Sequence, residues 1–295
     1  MDYKNVMLIY NREAGSNKIE SVLPQMVLAY QKKGFLMIPF CLNISSKEDI
    51  LPLLKNNNYA KIIISGGDGS INSIISFLLR IEIFVPIGIL PAGTCNDLAN
   101  SLGLPKNIKK ASMIPLKNKT LPIDIGRVNN SHYFFSSLAG GYFTEMSYKT
   151  PTAAKKNLKQ FAYYFKTATQ FSSFKPFSLK ATIDGQVIEK DVLMFAFSTG
   201  TQIAGFKNII HDASLNDGKL DLFLIKVCSY FELPAILFNI MAGQFTESKY
   251  VTHFQGESFH LEGATDVPIV FDGDKGISLP LTVEVIKEKI SLFIP

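Results

Sequence analysis

The chain has 295 residues, 47% of them hydrophobic and 19% charged, and it carries a formal net charge of +5 at pH 7. This composition excludes a disordered or fibrous protein and suggests about two domains with a substantial core. Cys41, Cys95 and Cys228 are far apart and lack metal-ligand spacing, so neither a disulfide framework nor a zinc site is predicted. The positive charge favours an anionic partner: a nucleotide, an acidic lipid or a nucleic acid.

The chain shows no targeting or membrane-spanning signal. Residues 1–10 contain no basic region followed by a long apolar run, so secretion is not expected. The most apolar stretch, residues 233–241, is much shorter than the roughly 20 residues that span a bilayer. We therefore expect a cytoplasmic protein with at most peripheral membrane contact. Nucleic-acid binding is not predicted, because zinc-finger spacing, basic heptads and ribonucleoprotein aromatic motifs are all missing.

The first 125 residues alternate short apolar runs with segments whose apolar residues recur at helical spacing. This alternation predicts a parallel sheet with helices on both faces, which is a three-layer α/β domain. Strands are predicted at residues 6–10, 36–41, 61–65 and 86–90, and helices at residues 19–33, 47–56 and 71–79.

The rest of the chain reads as mainly β. Strand-like runs cover residues 133–138, 177–184, 192–198, 220–226, 259–262 and 267–271, with turns at Asp184-Gly185 and Asp217-Gly218. Helices are predicted at residues 153–169 and 230–242, and residues 281–286 and 289–294 are predicted to close the chain as a hairpin.

The strongest local motif is the run Ser65-Gly66-Gly67-Asp68-Gly69-Ser70-Ile71-Asn72, between a predicted strand and a predicted helix. Glycines let the backbone approach closely, and a helix start offers unpaired N–H groups, so a phosphate group fits there. The Asp68 carboxylate repels phosphate unless a cation lies between them, which indicates magnesium. The alternative is an ordinary turn in which Asp68 caps the helix.

A second turn, Leu90-Pro91-Ala92-Gly93-Thr94-Cys95-Asn96-Asp97, also follows a predicted strand and opens a predicted helix. Because parallel strands end at the same edge of a sheet, we expect both turns to face one crevice. Thr94 and Asn96 can offer a hydroxyl and an amide to a nucleotide, and Asp97 adds a carboxylate. Asn96 and Asp97 could equally be helix caps. Residues 10–16, after the first strand, could cover phosphates from another side.

In this order, the motifs resemble the signature of the diacylglycerol kinase catalytic-domain family. The resemblance rests on Gly66-Gly67-Asp68-Gly69, Pro91-Ala92-Gly93-Thr94, Asp124-Ile125-Gly126, Ala139-Gly140-Gly141, Asn216-Asp217-Gly218 and Asp272-Gly273-Asp274. It extends over about residues 6–294 and is greatest to the soluble bacterial members, which also resemble sphingosine-type kinases. It implies a nucleotide-binding α/β domain at residues 1–125 and a lipid-binding β-sandwich at residues 126–285. Residues 286–295 would pack back on the first domain, with ATP in the cleft between the domains.

The resemblance also implies which residues contact ATP. The matching positions are Asn11, Arg12, Glu13, Ala14, Gly15, Gly66, Gly67, Asp68, Gly69, Ser70, Ile71, Asn72, Ser73, Thr94 and Asn96. A further nucleotide-contacting threonine of the family aligns near Leu42 or Asn43. Ser70 stands where the family usually has threonine and keeps the hydroxyl. Arg12 stands where proline is common and Ser16 where a basic residue often sits, so phosphate contacts in the first loop could shift onto Arg12.

Two metal sites are implied in the same way. Asp68, Asp97 and Asp124 match a carboxylate network that holds the catalytic Mg²⁺, partly through waters. Ser214, Asp217 and Lys219 match a second, structural metal site, to which Asp217 gives its carboxylate and the other two their carbonyl groups. From the residues alone, an ordinary hairpin turn is the preferred interpretation of Asp217-Gly218.

The acidic turn Asp272-Gly273-Asp274 matches the family's catalytic position. By resemblance Asp274 is the base that accepts the hydroxyl proton, and Asp272 is its orienting neighbour. The family usually has glutamate at the position of Asp274. The side chain of aspartate is shorter than that of glutamate by one carbon–carbon bond, about 1.5 Å. A displacement of this size can reduce the rate strongly, so Asp272 remains an alternative base.

The expected activity is transfer of the γ-phosphoryl group of ATP to a lipid hydroxyl, first of all diacylglycerol to phosphatidic acid in phospholipid biosynthesis. The alternatives are a kinase of another lipid alcohol, a sphingoid base or a nicotinamide dinucleotide, and a catalytically silent nucleotide-binding regulator. A dinucleotide-binding oxidoreductase is not predicted, because the G-x-G-x-x-G spacing is missing.

The expected partners beyond ATP and the lipid are an anionic membrane and a second copy of the chain. The predicted helix 153–169 has an apolar stripe that includes Phe161 and Phe165, with its lysines largely off that stripe. Such a helix can lie in an anionic membrane interface, although packing on the β domain explains it as well. A homodimer is a hypothesis from the resemblance.

Overall fold

The computed structural model describes residues 3–11, 18–42, 48–56, 58–141, 176–200, 214–229, 248–271, 274–275 and 277–295, with residues 232, 236 and 239. Of Lys18, Glu48, Asn56, Asp274 and Lys275 it describes the backbone only. The chain divides into two compact units. Unit 1 comprises Met1–Ile123 and Glu288–Pro295, and unit 2 comprises Asp124–Lys287.

Unit 1 is an α/β unit. Its strands are β1 (Lys4–Asn11), β2 (Phe35–Leu42), β3 (Tyr59–Gly66) and β4 (Ile87–Pro91). Its helices are α1 (Lys18–Gln31), α2 (Leu51–Asn56), α3 (Asp68–Arg80), α4 (Asp97–Ser101) and α5 (Ile108–Ser112), with 3-10 turns at Glu48–Ile50 and Ile114–Lys117. These elements confirm the strands and helices predicted before residue 90. Helix α3 begins three residues earlier than predicted, so Asp68 is its first residue.

The strands of unit 1 form a parallel sheet in the order β2-β1-β3-β4. On one face, Val6, Leu8, Ile63 and Leu90 pack with α1 and α5 in a single hydrophobic core. The alternate residues of β1, β3 and β4 are also buried, and α3 contacts β3. Because both faces are covered, the strands are continuous apolar runs, which is why the sequence predicted them well. Unit 1 is thus the expected three-layer domain.

Unit 2 is mainly β. Its strands are β5 (Thr120–Val128), β6 (His132–Phe134), β7 (Ser137–Gly141), β8 (Phe177–Ile183), β9 (Gln186–Ser198), β10 (Leu220–Lys226), β11 (Val251–Gly256), β12 (Ser258–Gly263), β13 (Ile269–Phe271), β14 (Asp274–Lys275) and β15 (Leu281–Phe293). Strand β5 starts at the end of unit 1, and β15 ends in unit 1, where Leu292 pairs with Ile87 of β4.

Strand β9 organises unit 2, because its first half pairs with β8 and its second half with β7 and β10. The hydrophobic core includes Phe134, Phe195, Phe197 and Phe259, and the rings of Phe197 and Phe259 meet edge to face at 4.9 Å. Strand β13 pairs with β7 and with β14, so the turn between β13 and β14 is held by two pairs of residues. This arrangement is the predicted β-sandwich domain.

Three secondary-structure predictions were wrong or incomplete. The closing hairpin does not form, because Leu281–Phe293 is one strand in which Glu288 takes a positive φ of 48°. A single positive φ bends the strand without reversing it. The predicted strand 133–138 is two strands, interrupted at Phe135 and Ser136. Strands β5 and β11 were not predicted, since their apolar and polar residues alternate only in part.

The predicted helices 153–169 and 230–242 lie outside the described residues, apart from three isolated positions of the second. Within the described part of the chain, no helix is long and apolar enough to cross a membrane.

Candidate functional site

The two glycine turns of unit 1 touch each other at the carboxyl ends of β3 and β4. The backbone N–H of Ala92 donates to the carbonyl of Gly66 at 2.9 Å. A Cβ atom added to Gly93 would lie 2.5 Å from the Cα of Gly67, and one added to Gly67 would lie 3.1 Å from the Cα of Gly93. Gly93 therefore requires glycine for this packing and Gly67 leaves little room for a side chain, and the structure brings the turns together as the sequence predicted.

Asp68 joins the two turns. It is the first residue of α3, whose N-cap is Gly67 and has no side-chain cap. The Oδ2 atom of Asp68 accepts a hydrogen bond from the backbone N–H of Asn96 at 2.7 Å, so its carboxylate caps the start of α4 instead of its own helix. The alternative reading of Asp68 as the cap of its own helix is therefore wrong.

The second carboxylate oxygen of Asp68, Oδ1, is buried and has no hydrogen-bond partner. Burial raises the pKa of Asp68, although backbone hydrogen bonds, that of Asn96 first among them, oppose the shift. A buried carboxylate oxygen without a partner destabilises the folded state unless a cation, or a water bound to a cation, interacts with it.

Asn96 fixes the shape of the second turn. It has a left-handed backbone, with φ 54° and ψ 49°. Its Oδ1 accepts from the N–H of Gly93 at 2.8 Å, and its Nδ2 donates to the carbonyl of Gly93 at 2.9 Å. Both ends of this side-chain amide therefore hold the turn, while Thr94 at its tip is exposed. Any contact of Asn96 with a nucleotide would therefore use a side-chain amide that already holds this turn.

The remaining predicted nucleotide residues of unit 1 lie around the start of α3. Ile71 is buried, and its backbone N–H donates to the carbonyl of Gly67, so its contribution to a ligand site is indirect. Asn72 accepts a hydrogen bond from Ser76 at 2.9 Å. The N–H groups of Gly69 and Ser70 precede the first helical hydrogen bond and are candidate anion donors. Asn11 is the last residue of β1, and Ser73 follows one turn into α3.

Asp97 and Asp124 are both buried, with Asp97 in unit 1 and Asp124 in unit 2. Asp97 is the first residue of α4. Asp124 lies in β5, where its Oδ2 accepts from the N–H of Gly218 at 2.6 Å and its own N–H donates to the carbonyl of Leu215 at 2.7 Å. Two hydrogen bonds therefore fasten Asp124 to the turn that contains Asp217.

The predicted second metal site lies in this turn. Asp217 is exposed, and its Oδ1 accepts from the N–H of Lys219 at 3.0 Å. Ser214 donates through its hydroxyl to Oδ1 of Asn216 at 2.9 Å. Gly218 takes a φ of 74°, which favours glycine at that position. The geometry explains the turn without a metal, and the metal assignment stays a prediction.

No group of three or more His, Cys, Asp or Glu side chains within the described residues lies close enough to hold a metal ion. The chemistry of the donors nevertheless fits a hard divalent cation. Magnesium takes few direct carboxylates, keeps several waters and binds substrate phosphates. The buried, unpartnered Oδ1 of Asp68 is an oxygen that such a cation or its water could satisfy.

Several predicted site residues cannot be placed. Arg12, Glu13, Ala14, Gly15, Asn43 and Asp272 lie outside the described residues. Asp274 is described by its backbone, which pairs with Phe271 across the turn. The contacts of Asp68 with Asn96 and of Asp124 with Gly218 were not predicted, because they join residues 28 and 94 positions apart.

The class of protein follows from these features: an α/β unit with two phosphate-type glycine turns, followed by a β-sandwich unit. Residues 5–128 match the family model described as the diacylglycerol kinase catalytic domain. Residues 142–294 match the model described as the YegS C-terminal NAD kinase beta sandwich-like domain. The chain belongs to the diacylglycerol kinase catalytic-domain family.

Curated relatives agree over nearly the whole chain. A protein of Staphylococcus saprophyticus named diacylglycerol kinase is 29% identical over 99% of this chain and 96% of its own length. One of Staphylococcus carnosus with the same name is 28% identical over 99% of this chain and 95% of its own length. A crystal structure of a Bacillus anthracis diacylglycerol kinase has a TM-score of 0.75 at 21% identity, covering 100% of this chain and 98% of that one. The structural match supports the fold.

Proposed function

We propose that this protein is an ATP-dependent kinase that phosphorylates a lipid hydroxyl, with diacylglycerol as the first candidate substrate and phosphatidic acid as the product. The observation that carries the proposal is the contact between the two glycine turns, braced by Asp68 and Asn96, in a chain of this family. The Staphylococcus relatives, named diacylglycerol kinase, support the choice of lipid.

The ATP phosphates would bind at the start of α3, where the N–H groups of Gly69 and Ser70 are available and the positive end of the helix dipole favours an anion. Gly67 and Gly93 carry no side chain, so the two turns meet backbone to backbone beside this helix start. The exposed hydroxyl of Thr94 stands on the neighbouring turn. Asn11 to Gly15 would contact ATP from the loop after β1, as the family resemblance implies.

Asp68, Asp97 and Asp124 would hold Mg²⁺, with Ser214, Asp217 and Lys219 at a second metal position. When bound, Mg²⁺ neutralises charge on the β- and γ-phosphates. The chain's own part is to keep the acidic side chains in place. The N–H groups of Asn96 and Gly218 do this for Asp68 and Asp124.

The reaction forms a bond between the lipid oxygen and the γ-phosphorus and breaks the bond between that phosphorus and the bridging oxygen of ADP. The lipid hydroxyl proton passes to the carboxylate of Asp274, which Asp272 orients. The backbone pairing of Phe271 with both Leu138 and Asp274 fixes the position of Asp274 at the start of β14.

Because the substrate is a membrane lipid, we propose that the protein works in the cytoplasm on the inner face of the membrane, by peripheral contact. A homodimer is proposed on the family resemblance, and light scattering that shows only monomer at working concentration would contradict it.

The test is transfer of labelled γ-phosphate from Mg-ATP to lipids in mixed micelles, comparing the natural protein with Asp274→Ala and Asp274→Glu. Asp266→Ala is the matched control, an exposed acid on another turn of unit 2. The proposal predicts labelled phosphatidic acid, lost in Asp274→Ala and kept in the other two variants. Label on another lipid alcohol or a sphingoid base changes the substrate. ATP binding without transfer to any lipid would identify a silent nucleotide-binding regulator.

A further inference from the structure

The helical layer that covers one face of the unit 1 sheet is strongly basic. Helices α1 and α5 and the 3-10 turn after α5 share one hydrophobic core against the sheet, and the hydroxyl of Tyr30 in α1 donates to the carbonyl of Ser112 in α5 at 2.9 Å. Exposed lysines stand on these elements or within two residues of their ends. They are Lys32, Lys33, Lys106, Lys109, Lys110 and Lys117, called here the lysine face.

Acidic residues are almost missing from the same segments. Residues 98–123 contain no Asp or Glu, and residues 18–34 contain only Glu20, in the first turn of α1. The six lysines and Glu20 together carry a charge of +5. This layer is therefore strongly basic.

The lysines of this face are available for an external partner. None of the six forms an ion pair with another residue of the described part of the chain, whereas Lys180, Lys249 and Lys287 of unit 2 each do. Leu28 of α1 is 55% exposed, and the N–H of Lys32 donates to its carbonyl, which places Lys32 one helical turn above it. A large apolar side chain thus protrudes beside the positive charges.

We propose that the lysine face, with Leu28, is a docking surface for a membrane that contains anionic lipid. The choice of a membrane over an acidic protein rests on the proposed function, whose substrate is a membrane lipid. Lysine ammonium groups are compact charges on flexible apolar stems, which suits headgroup phosphates of no fixed geometry. Leu28 can enter the interface while the lysines remain among the headgroups.

Each lysine near an anionic surface contributes a small electrostatic attraction that adds to those of its neighbours. Reversal of two charges in Lys109→Glu with Lys110→Glu should therefore lower the affinity for anionic vesicles at least about tenfold. Lys55→Glu with Lys190→Glu is the matched control. These two lysines are also exposed, and their reversal changes the net charge equally, but they lie on α2 and β9.

The experiment is flotation of the full chain with phosphatidylcholine vesicles that contain zero, one fifth or two fifths phosphatidylglycerol, without ATP, at low and at physiological salt. The proposal predicts binding that rises with phosphatidylglycerol and falls with salt, is lost in the Lys109/Lys110 variant, and is kept in the control. Leu28→Ser, which leaves the charge unchanged, should weaken binding severalfold. Thermal melting confirms that each variant is folded.

Unchanged binding of the Lys109/Lys110 variant would overturn the proposal and assign any membrane contact to another part of the chain. Equal loss in both double variants would also overturn it, since net charge alone would then be responsible. Binding to poly-L-glutamate but not to vesicles would assign the face to an acidic protein. Vesicle binding is measured without ATP and needs no turnover, so the flotation result can be interpreted even if the protein proves not to be a kinase. Conversely, phosphorylation of a water-soluble short-chain diacylglycerol should be unaffected by the variant.

Discussion

The carboxylate of Asp68 accepts a hydrogen bond from the backbone N–H of Asn96, 2.7 Å away, although 28 residues separate them along the chain. The bond ties the start of α3 to the start of α4 and leaves the other oxygen of Asp68 buried without a partner. One side chain thus has a structural contact through Oδ2 and a candidate ligand atom in Oδ1.

These two roles should separate in two variants. Asp68→Ala removes the acceptor from Asn96 and should lower the free energy of unfolding by about 1–3 kcal/mol. Asp68→Asn keeps an oxygen acceptor and should cost less, but it removes the negative charge. If Oδ1 serves a metal, both variants should lose at least about a hundredfold in the rate of phosphoryl transfer. Urea unfolding and the micelle assay measure the two effects. Near-natural activity in folded Asp68→Asn would contradict the metal role.

The pH dependence of stability should report the burial of Asp68. Because burial raises its pKa above the ordinary 3.8, the folded state binds the proton more tightly than the unfolded state. The contribution of Asp68 to stability is therefore complete below the ordinary pKa and is lost as the pH rises through the raised pKa. The free energy of unfolding of the natural protein, minus that of Asp68→Asn, should fall as the pH is raised from about 4 towards neutrality. A difference that stays constant or increases would show that Asp68 is not held in this way.

Gly93→Ala should separate the two glycine turns. The added Cβ would lie 2.5 Å from the Cα of Gly67 and 2.9 Å from Oδ1 of Asn96, so the backbone must move. We expect a loss of about 2 kcal/mol in the free energy of unfolding and at least a tenfold loss in ATP affinity, measured by calorimetry. Gly103→Ala is the control. Gly103 has a positive φ of 68° but open space around it, so this variant should lose about 1 kcal/mol and bind ATP normally. Equal ATP affinity in the two variants would count against the site.

Asp217→Asn distinguishes a metal ligand from a turn residue. In the natural protein, Oδ1 of Asp217 accepts a hydrogen bond from the N–H of Lys219. The side-chain oxygen of asparagine can accept the same bond. A purely local role therefore predicts normal activity and stability. A metal role predicts a loss of activity of tenfold or more and weaker protection against heat by added Mg²⁺, because a neutral amide binds the cation poorly. Melting temperature as a function of Mg²⁺ concentration, together with the transfer rate, decides between the two roles.

Lys61 should be essential to the stability of unit 1. It is 3% exposed, donates through Nζ to the carbonyl of Pro115 and to Oδ1 of Asn118, and lies over the rings of Phe35 and Phe293. Lys61→Met leaves both acceptors unpaired and should cost about 2–4 kcal/mol in the free energy of unfolding. Lys55→Met, at an exposed position, should change it by less than about 0.5 kcal/mol. Similar stability of the two variants would show that these contacts are not important.

The sequence predicted the elements that depend on local pattern. Strands β1, β3 and β4 were found because strands buried on both faces of a sheet need continuous apolar runs; the edge strand β2 is also an apolar run, although it is partly exposed. The sequence predicted the turn at Asp184-Gly185 because Asp and Gly are favoured where a hairpin turn needs a positive φ. The two residues have φ values of 46° and 87°. The predicted closing hairpin was wrong, because the single positive φ at Glu288 bends the strand Leu281–Phe293 without reversing it.

By itself the sequence determined the fold class, the order of the glycine turns and the family, because each depends on residue types at fixed spacing along the chain. Tertiary structure alone decided that Asp68 caps α4 and that Asp124 is held by Gly218, since these bonds join positions far apart in the chain. It also decided that the lysines after α1 and around α5 lie on one helical layer, because a shared core brings α1 and α5 side by side. Contacts of this kind follow from packing, which no local pattern specifies.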